Sequence, residues 1–510
     1  MFTRVISAAV CGVESQCICV EADVSDGLPM FSMVGFLSSQ VREAQDRVRT
    51  ALHNSGIRLT PKKITVNLSP ADLRKDSAAF DLPIALAVLG AYGHIPQKAF
   101  HEVMIAGELS LNGEVNRIRG MLPIVRAGAG TGCKTCIIPK GNEKEGNLVA
   151  GMQVIGVKNL LEAVDYLKEG LKPFDSENKP IGKWGEEKEK YQEDFSDING
   201  QRGVKRATEV AVAGLHNLLL IGPPGAGKTM IARRIPSILP KLSLEESLEI
   251  STIYSVSGLL PEEEPLMTRR PFRAPHHTIT PSALAGGGRI PKPGEVSFAH
   301  GGVLFLDEMP EFQKATLEIL RQPMEERRVL IARNHGNYIF PADFMLVAAL
   351  NPCKCGHYPD MNRCTCTSRE IHGYLHKISQ PLLDRIDISI EAPALSYSDL
   401  TKEQVNETSM QIRKRVTRAQ SIQHKRFRGT DFLFNSDLNI EGIRKYCFLG
   451  KEETALLKEA YHKLELSARA YHRIIKVART IADLDEAERI TCSHISEAIC
   501  YRTIDKKFWV

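Results

Sequence analysis

The stretch Gly222-Pro-Pro-Gly-Ala-Gly-Lys228-Thr229 constrains this chain more than any other, because it fits G-x-x-x-x-G-K-[ST] at every required position. The run ahead of it, Leu218-Leu219-Leu220-Ile221, reads as a buried parallel strand, and Met230-Ile231-Ala232-Arg233-Arg234 behind it reads as a helix. A strand–loop–helix of this composition is a phosphate cradle. Its glycines let backbone N–H groups turn toward phosphate oxygens, Lys228 reaches the β- and γ-phosphates, and the Thr229 hydroxyl holds Mg²⁺. The candidate nucleotide-binding residues are therefore Gly222, Pro223, Pro224, Gly225, Ala226, Gly227, Lys228 and Thr229. A chance match is the bland alternative, and the flanking strand and helix count against it.

A second element narrows the chemistry. Val303-Leu304-Phe305-Leu306-Asp307-Glu308 is an apolar strand that stops at two adjacent carboxylates. Asp307 is then placed to join Thr229 at the nucleotide's Mg²⁺, and Glu308 to polarise a water for attack on the γ-phosphate. An exposed strand end that simply carries acids is the competing explanation. Together the two motifs predict hydrolysis of a nucleoside triphosphate.

A chain of 510 residues holds about three domains by the usual length prior. Hydrophobic and charged fractions of 43% and 25% are ordinary for globular protein. No apolar run reaches the length of a membrane span, and the N-terminal segment is too short for a secretory signal. Twelve cysteines without a signal suggest reduced thiols and a cytoplasmic protein. The net charge of +5 is weak by itself. From Tyr166 to Asn199 the sequence is charged and punctuated by Gly and Pro, which marks a linker. The expected division is residues 1–165 as an α/β domain, 166–194 as linker, 195–393 as the nucleotide-binding core and 394–510 as a helical domain.

Further motifs follow inside the core. Phe344–Leu350 is another apolar strand, ending at Asn351, whose amide is suited to orienting a water or sensing the γ-phosphate. Pro381-Leu-Leu-Asp-Arg385-Ile-Asp387 sets an arginine between acids, and an ion pair with Asp384 or Asp387 is its bland reading. Arg469 opens a helix, where the helix dipole disfavours a cation, so phosphate contact or a surface salt bridge is called for.

This order of features resembles the AAA+ ATPases, in the branch holding Mg-chelatase AAA subunits and replicative MCM motors, and specifically the Mg-chelatase-like ComM/YifB family. The residues that carry the resemblance are Gly222–Thr229, Arg270-Pro-Phe-Arg-Ala-Pro-His-His277, Pro293–Glu308 and Leu382-Leu-Asp-Arg-Ile-Asp387. The resemblance implies ATP and Mg²⁺ as cofactors, with Lys228, Asp307, Glu308, Asn351, Arg385 and Arg469 as the catalytic set. It makes Asn351 the first sensor, Arg385 an arginine finger acting on a neighbouring subunit, and Arg469 a second sensor carried over the nucleotide by a helical lid. A finger in trans implies a ring, expected to be a hexamer.

Residues 269–294 form an insert rich in Arg269, Arg270, Arg273, Arg289 and Lys292, with glycines at 286–288. Adjacent His276 and His277 diverge on either a strand or a helix, so they are not a shared metal site. Arg327–Phe340 alternates about Asn334-His335-Gly336-Asn337 and reads as a hairpin. Resemblance to MCM-like motors suggests that both loops face a ring channel, which makes Arg333 and His335 DNA-contact candidates. Cys353, Cys355, Cys364 and Cys366 stand as two close pairs. They read either as a Zn²⁺ site with unusually tight spacing or as reduced thiols in a flexible loop, a redox switch being a third option.

The N-terminal segment has strands at Cys17–Val24, Lys63–Leu68 and Val103–Ala106 and helices at Glu43–Ser55 and Leu82–Ala91. Gly107–Gly120 resembles the Lon-type protease fold. Aligned on those proteases, Ala79 occupies the serine position and Leu122 the lysine position, so the expected module is non-proteolytic. Beyond the core, Arg413-Lys-Arg415, Arg418, Lys425, Arg426 and Arg428 read as a solvated helix face or as a phosphate-binding patch. The expected architecture is thus α/β: a Lon-protease-like N-terminal domain, an AAA+ P-loop core and a C-terminal helical lid. Two functions fit it. One is an ATP-driven ring motor on single-stranded or branched DNA, for branch migration in recombination or natural transformation. The other is a Mg-chelatase-like ATPase that remodels a protein partner.

Overall fold

Phe2–Cys11 and Glu14–Ser25 pair antiparallel from Phe2 opposite Asp23 to Cys11 opposite Glu14, with Gly12 turning the chain at φ +70°. The computed structural model describes residues 1–171, 191, 193–333, 336–394 and 406–509. This first hairpin lies inside a seven-stranded sheet ordered Met30–Val34, Lys63–Ser69, Glu14–Ser25, Phe2–Cys11, Val103–Ile105, Thr135–Pro139, Gln153–Val157. The strands from Phe2–Cys11 to Gln153–Val157 run parallel along that edge. Every residue of the helix Asp81–Ala91 is buried. It is apolar all round apart from Asp81, whose carboxylate takes a two-pronged ion pair from Arg47 at 2.8 and 2.9 Å. Burial raises the Asp81 pKa, and Arg47 opposes it. Ala79 and Leu122, expected from the sequence where Lon-type proteases carry serine and lysine, are 1% and 0% exposed. The helix Leu160–Glu169 runs past the expected linker start at Tyr166 because Val164 and Leu167 still pack into this core. Most of the expected linker lies outside the described residues.

The second sheet has five strands, ordered Phe272–Arg273, Val303–Leu306, Met345–Leu350, Leu218–Ile221, Ile388–Glu391, all parallel. The strands at 218–221, 303–306 and 345–350 are buried along their whole length, as a parallel sheet covered on both faces requires. Helices close it. Ser409–Arg426, Ala468–Leu484 and Cys492–Trp509 share a single core with the sheet, in which Val416, Ile474 and Ile495 join Leu218 and Leu220. The C-terminal helices are therefore packed onto the nucleotide core. Four arginines of the basic run beginning on the first of them are engaged within the chain. Arg413 donates to Ser237 O, Arg415 pairs with Glu209 and Glu407, Arg418 with Glu486, and Arg426 with Asp483.

The N-terminal domain docks on the core through the helix Leu244–Ser257 and the turn after it. Gly120 N–H donates to Ser255 O at 3.0 Å, Ser255 Oγ to Glu145 at 2.5 Å, and Arg117 to Leu260 O at 2.9 Å.

Candidate nucleotide site

Parallel α/β sheets bind ligands beyond the carboxyl ends of their strands, where the order reverses. Leu218–Ile221 is flanked on both sides, by Met345–Leu350 and Ile388–Glu391, and the loop 222–229 leaves its carboxyl end. The loop is held tightly. A Cβ on Gly222 would lie 2.2 Å from Ala392 O, and Gly225 and Gly227 have φ of +78° and +79°, so glycine is required at all three. Lys228 begins the following helix, Lys228–Ile238.

The candidate catalytic groups converge on this loop. Lys228 Nζ donates to Gly222 O at 2.7 Å, Pro223 O at 2.9 Å and Asn351 Oδ1 at 3.0 Å. Burial lowers the Lys228 pKa, and Asp307 and Glu308 oppose that shift. Thr229 Oγ1 donates to Asp307 Oδ2 at 2.7 Å, so the two expected Mg²⁺ ligands already touch. Glu308 follows at φ +49°, an unusual conformation for a side-chain-bearing residue, and its side chain is exposed. The donor set fits a magnesium nucleotide. Backbone amides and Lys228 would take the phosphates, Thr229 and Asp307 would hold the ion, and Mg²⁺ would neutralise charge developing on the phosphates. Glu308 is the free carboxylate beside them that can accept a proton from water.

Arg385 and Arg469 lie elsewhere. Asn217, Gly302, Met345 and Asp387 mark the amino ends of the strands, and with Arg385 and Arg469 they line a cavity of about 1250 Å³. A four-residue strand spans roughly 13 Å, so this cavity opens at the opposite end of the sheet from the phosphate loop. Arg385 donates to Pro381 O at 2.7 Å and pairs with Glu325, in place of the Asp384 or Asp387 considered from sequence. Arg469 is 62% exposed and pairs with Asp384 at 3.8 Å. Within its own chain Arg469 therefore lies away from the phosphate loop. The helix Ala468–Leu484 is fixed at the amino ends of the strands, where Arg473 donates to Ile386 O at 2.8 Å and pairs with Asp387 at 3.5 Å. Burial pushes the Asp387 pKa up, but Arg473 and His216 outweigh it and hold the carboxyl below its ordinary range.

The two inserts meet. Strands Arg328–Arg333 and Gly336–Pro341 form the expected hairpin, with Arg333 opposite Gly336. Its turn, Asn334 and the candidate His335, lies outside the described residues. In the other insert Gly286–Gly287 pairs with Lys292–Pro293. A Cβ on Gly286 would lie 3.3 Å from Ile331 Cδ1, and Arg333 Nε donates to Gly288 O at 3.2 Å. Of the five basic residues named in this insert, two serve the fold. Arg270 binds Pro240 O, Gly301 O and Glu246, and Arg273 makes a two-pronged pair with Glu295. Arg269 lies 5.9 Å from the Tyr191 ring. Arg289 and Lys292 remain exposed at the tip, beside Arg333.

The sulfurs of Cys353, Cys355, Cys364 and Cys366 lie within 4.8 Å of one another, and Cys353 is fully buried. Three residues of these sites carried no sequence signal: Glu325 beside Arg385, Asn217 at the strand ends, and Gly356, which presses on Pro224. All three depend on contacts distant in the chain.

A family model described as magnesium chelatase, subunit ChlI, matches residues 194–400, one for subunit ChlI of Mg-chelatase matches 20–142, and one for the ChlI C-terminal region matches 406–502. The chain is 42% identical over 505 residues to the YifB protein of Escherichia coli, covering 98% of this chain and 96% of that one. It is 41% identical over 507 residues to the competence protein ComM of Haemophilus influenzae, covering 98% and 97%. A shorter likeness, 28% over 241 residues, links it to Lon protease 2 of Bacillus subtilis, covering 42% and 44%.

Proposed function

The chain belongs to the Mg-chelatase-like ComM/YifB family of AAA+ ATPases, and from that premise we propose that it is a Mg²⁺-dependent ATPase ring that moves on single-stranded or branched DNA. The observation that carries the DNA part is the joined pair of hairpins, which presents Arg289, Lys292 and Arg333 on one exposed edge without acidic partners among the described residues. Exposed cations on adjoining loops suit a phosphate backbone, whose contacts position a chain without reading its sequence.

The ring part is supported by Arg385 and Arg469. Both lie at the far end of the sheet from their own phosphate loop, so any γ-phosphate they serve belongs to a neighbour. A hexamer is the assembly proposed. The relative named a competence protein supports a role in the uptake or recombination of DNA. A cytoplasmic site of action is part of this reading; among the described residues no helix is long and apolar enough to cross a membrane.

The test is ATP turnover with no DNA, duplex DNA, single-stranded DNA and a branched junction. Stimulation several-fold by the last two is expected. Turnover that no DNA changes would remove this reading and favour the alternative, remodelling of a protein partner, which the matches to magnesium chelatase subunit ChlI support.

A further inference from the structure

We propose that Cys353, Cys355, Cys364 and Cys366 bind one Zn²⁺ as thiolates, and that the metal-closed loop braces the phosphate-binding loop so that metal occupancy sets nucleotide affinity. The second half rests on the nucleotide-binding part of the proposed function and is independent of its DNA part.

The geometry is that of a tetrathiolate site. Four sulfurs bound at about 2.3 Å around one ion stand about 3.8 Å apart. Here Cys353 and Cys355 are 3.3 Å apart, Cys355 and Cys364 3.5 Å, and Cys353 and Cys364 3.7 Å. All four converge on one point, whereas two disulfides would draw them into separate pairs. The tight C-x-C spacing is accommodated by the backbone. Gly356 N–H donates to Cys353 O at 3.0 Å, and Gly356 at φ +81° reverses the chain directly after Cys355. On the other arm, Cys364 N–H donates to Asp360 O at 2.8 Å. The Tyr358 amide donates to Cys353 Sγ at 3.4 Å, fixing that sulfur in the loop. Soft thiolates in a closed tetrahedral set select Zn²⁺ as a structural ion.

The same loop is a wall of the nucleotide site. A Cβ on Gly356 would lie 2.4 Å from Pro224 Cδ, so the knuckle rests directly on the phosphate loop. Cys353 follows two residues after Asn351, which takes the Lys228 ammonium. Gly222 N–H donates to Leu350 O at 3.2 Å, tying the phosphate loop to the strand that leads into the cysteines. On the outer side Tyr358 packs edge-on against Phe508 of the C-terminal helix at 6.0 Å. Without the ion, residues 353–366 lose the bond that joins their two arms. The surface under Pro224 then goes with them.

The experiment uses the full chain purified without chelator. Metal analysis is expected to find about one zinc per chain, and growth on cobalt to give the visible absorption of a tetrahedral thiolate Co²⁺ centre. Binding of a fluorescent ATP analogue to the zinc-loaded protein is the reference, and its failure would count against the function reading, with zinc content still read separately. Stripping the metal with a thiol reagent is expected to weaken analogue binding about tenfold or more, with recovery on adding Zn²⁺ but not Mg²⁺. Cys364→Ser with Cys366→Ser should lose the metal, and Cys500→Ser, at an exposed cysteine elsewhere, should keep it. Gly356→Ala retains all four ligands, so it should keep zinc and still bind nucleotide less tightly even if the cysteine variants do not fold. Metal-free protein with four reduced thiols and no cobalt spectrum would overturn the site. Bound zinc with nucleotide affinity indifferent to both stripping and Gly356→Ala would overturn the coupling.

Discussion

Lys228 Nζ donates to Asn351 Oδ1 at 3.0 Å, joining residues 123 positions apart at the carboxyl ends of adjacent strands. The ammonium has three donors and spends the other two on Gly222 O and Pro223 O. Phosphate oxygens compete for all three. Lys228→Ala is therefore expected to weaken nucleotide binding itself, whereas Glu308→Gln should bind ATP normally and turn it over about 10²- to 10⁴-fold more slowly, because an amide accepts no proton from water. Equilibrium binding and steady-state turnover on both variants check this. Normal turnover by Glu308→Gln would remove the base from Glu308.

The distance between the two ends of the sheet makes the next prediction. Arg385→Ala protein keeps its phosphate loop and Lys228→Ala protein keeps its arginine, so each supplies the half-site that the other lacks. Mixed in equal amounts before assembly, they should recover roughly a quarter of wild-type turnover if interfaces act independently. Neither protein alone should show it. Full activity in a species that sedimentation shows to be a monomer would exclude action between subunits.

Much of this was legible in the chain. Leu218–Ile221 and Val303–Leu306 are continuous apolar runs with motif residues directly after them, so both the strands and the ends that carry chemistry could be read locally. The hairpin about 334–337 was legible for the same reason, its alternation having a period of two. The position of Arg469 was not. Its helix could be read, but its anchor is Arg473 on Ile386 O and Asp387, a contact across 87 residues with no local signature. Arg270 and Arg273 looked like free charge because Glu246 and Glu295, which neutralise them, lie 24 and 22 residues away. Charge counted along a sequence overstates what a folded surface offers.

Asp387 gives a pH prediction. Its folded pKa is depressed, so its stabilising contribution is complete above the unfolded carboxylate pKa of about 4 and is lost as pH falls from there toward the folded value. Asp387→Asn leaves Arg473 buried without its carboxylate and should cost about 3 kcal/mol at pH 7. The gap between variant and wild type should begin to narrow below pH of about 4 and shrink further toward the folded value. Denaturant midpoints at a series of pH values measure it. A gap that stays constant down to strongly acid pH would show that the loss is one of packing, not of charge.

The last prediction concerns the joined hairpins. Arg333 donates to Gly288 O and Ala332 O and pairs with no acid among the described residues, so its charge is not consumed by the fold. A cation held only by carbonyls on an exposed edge is free to contact phosphate. Arg333→Ala should then weaken DNA binding about equally on unrelated sequences and reduce the salt slope by about one. Basal ATP turnover should survive, because among the described residues the hydrogen bonds of Lys228, Thr229 and Asn351 run to neither hairpin, while stimulation by DNA falls. Losing one hydrogen bond to Gly288 O costs about 1 kcal/mol, so the melting temperature should move little. If Arg333 served only to fasten one hairpin to the other, the melting temperature would drop while DNA affinity per folded molecule held steady. Measuring both on the same preparation separates these roles. Unchanged DNA binding and unchanged stimulation would remove this edge from the path of the DNA.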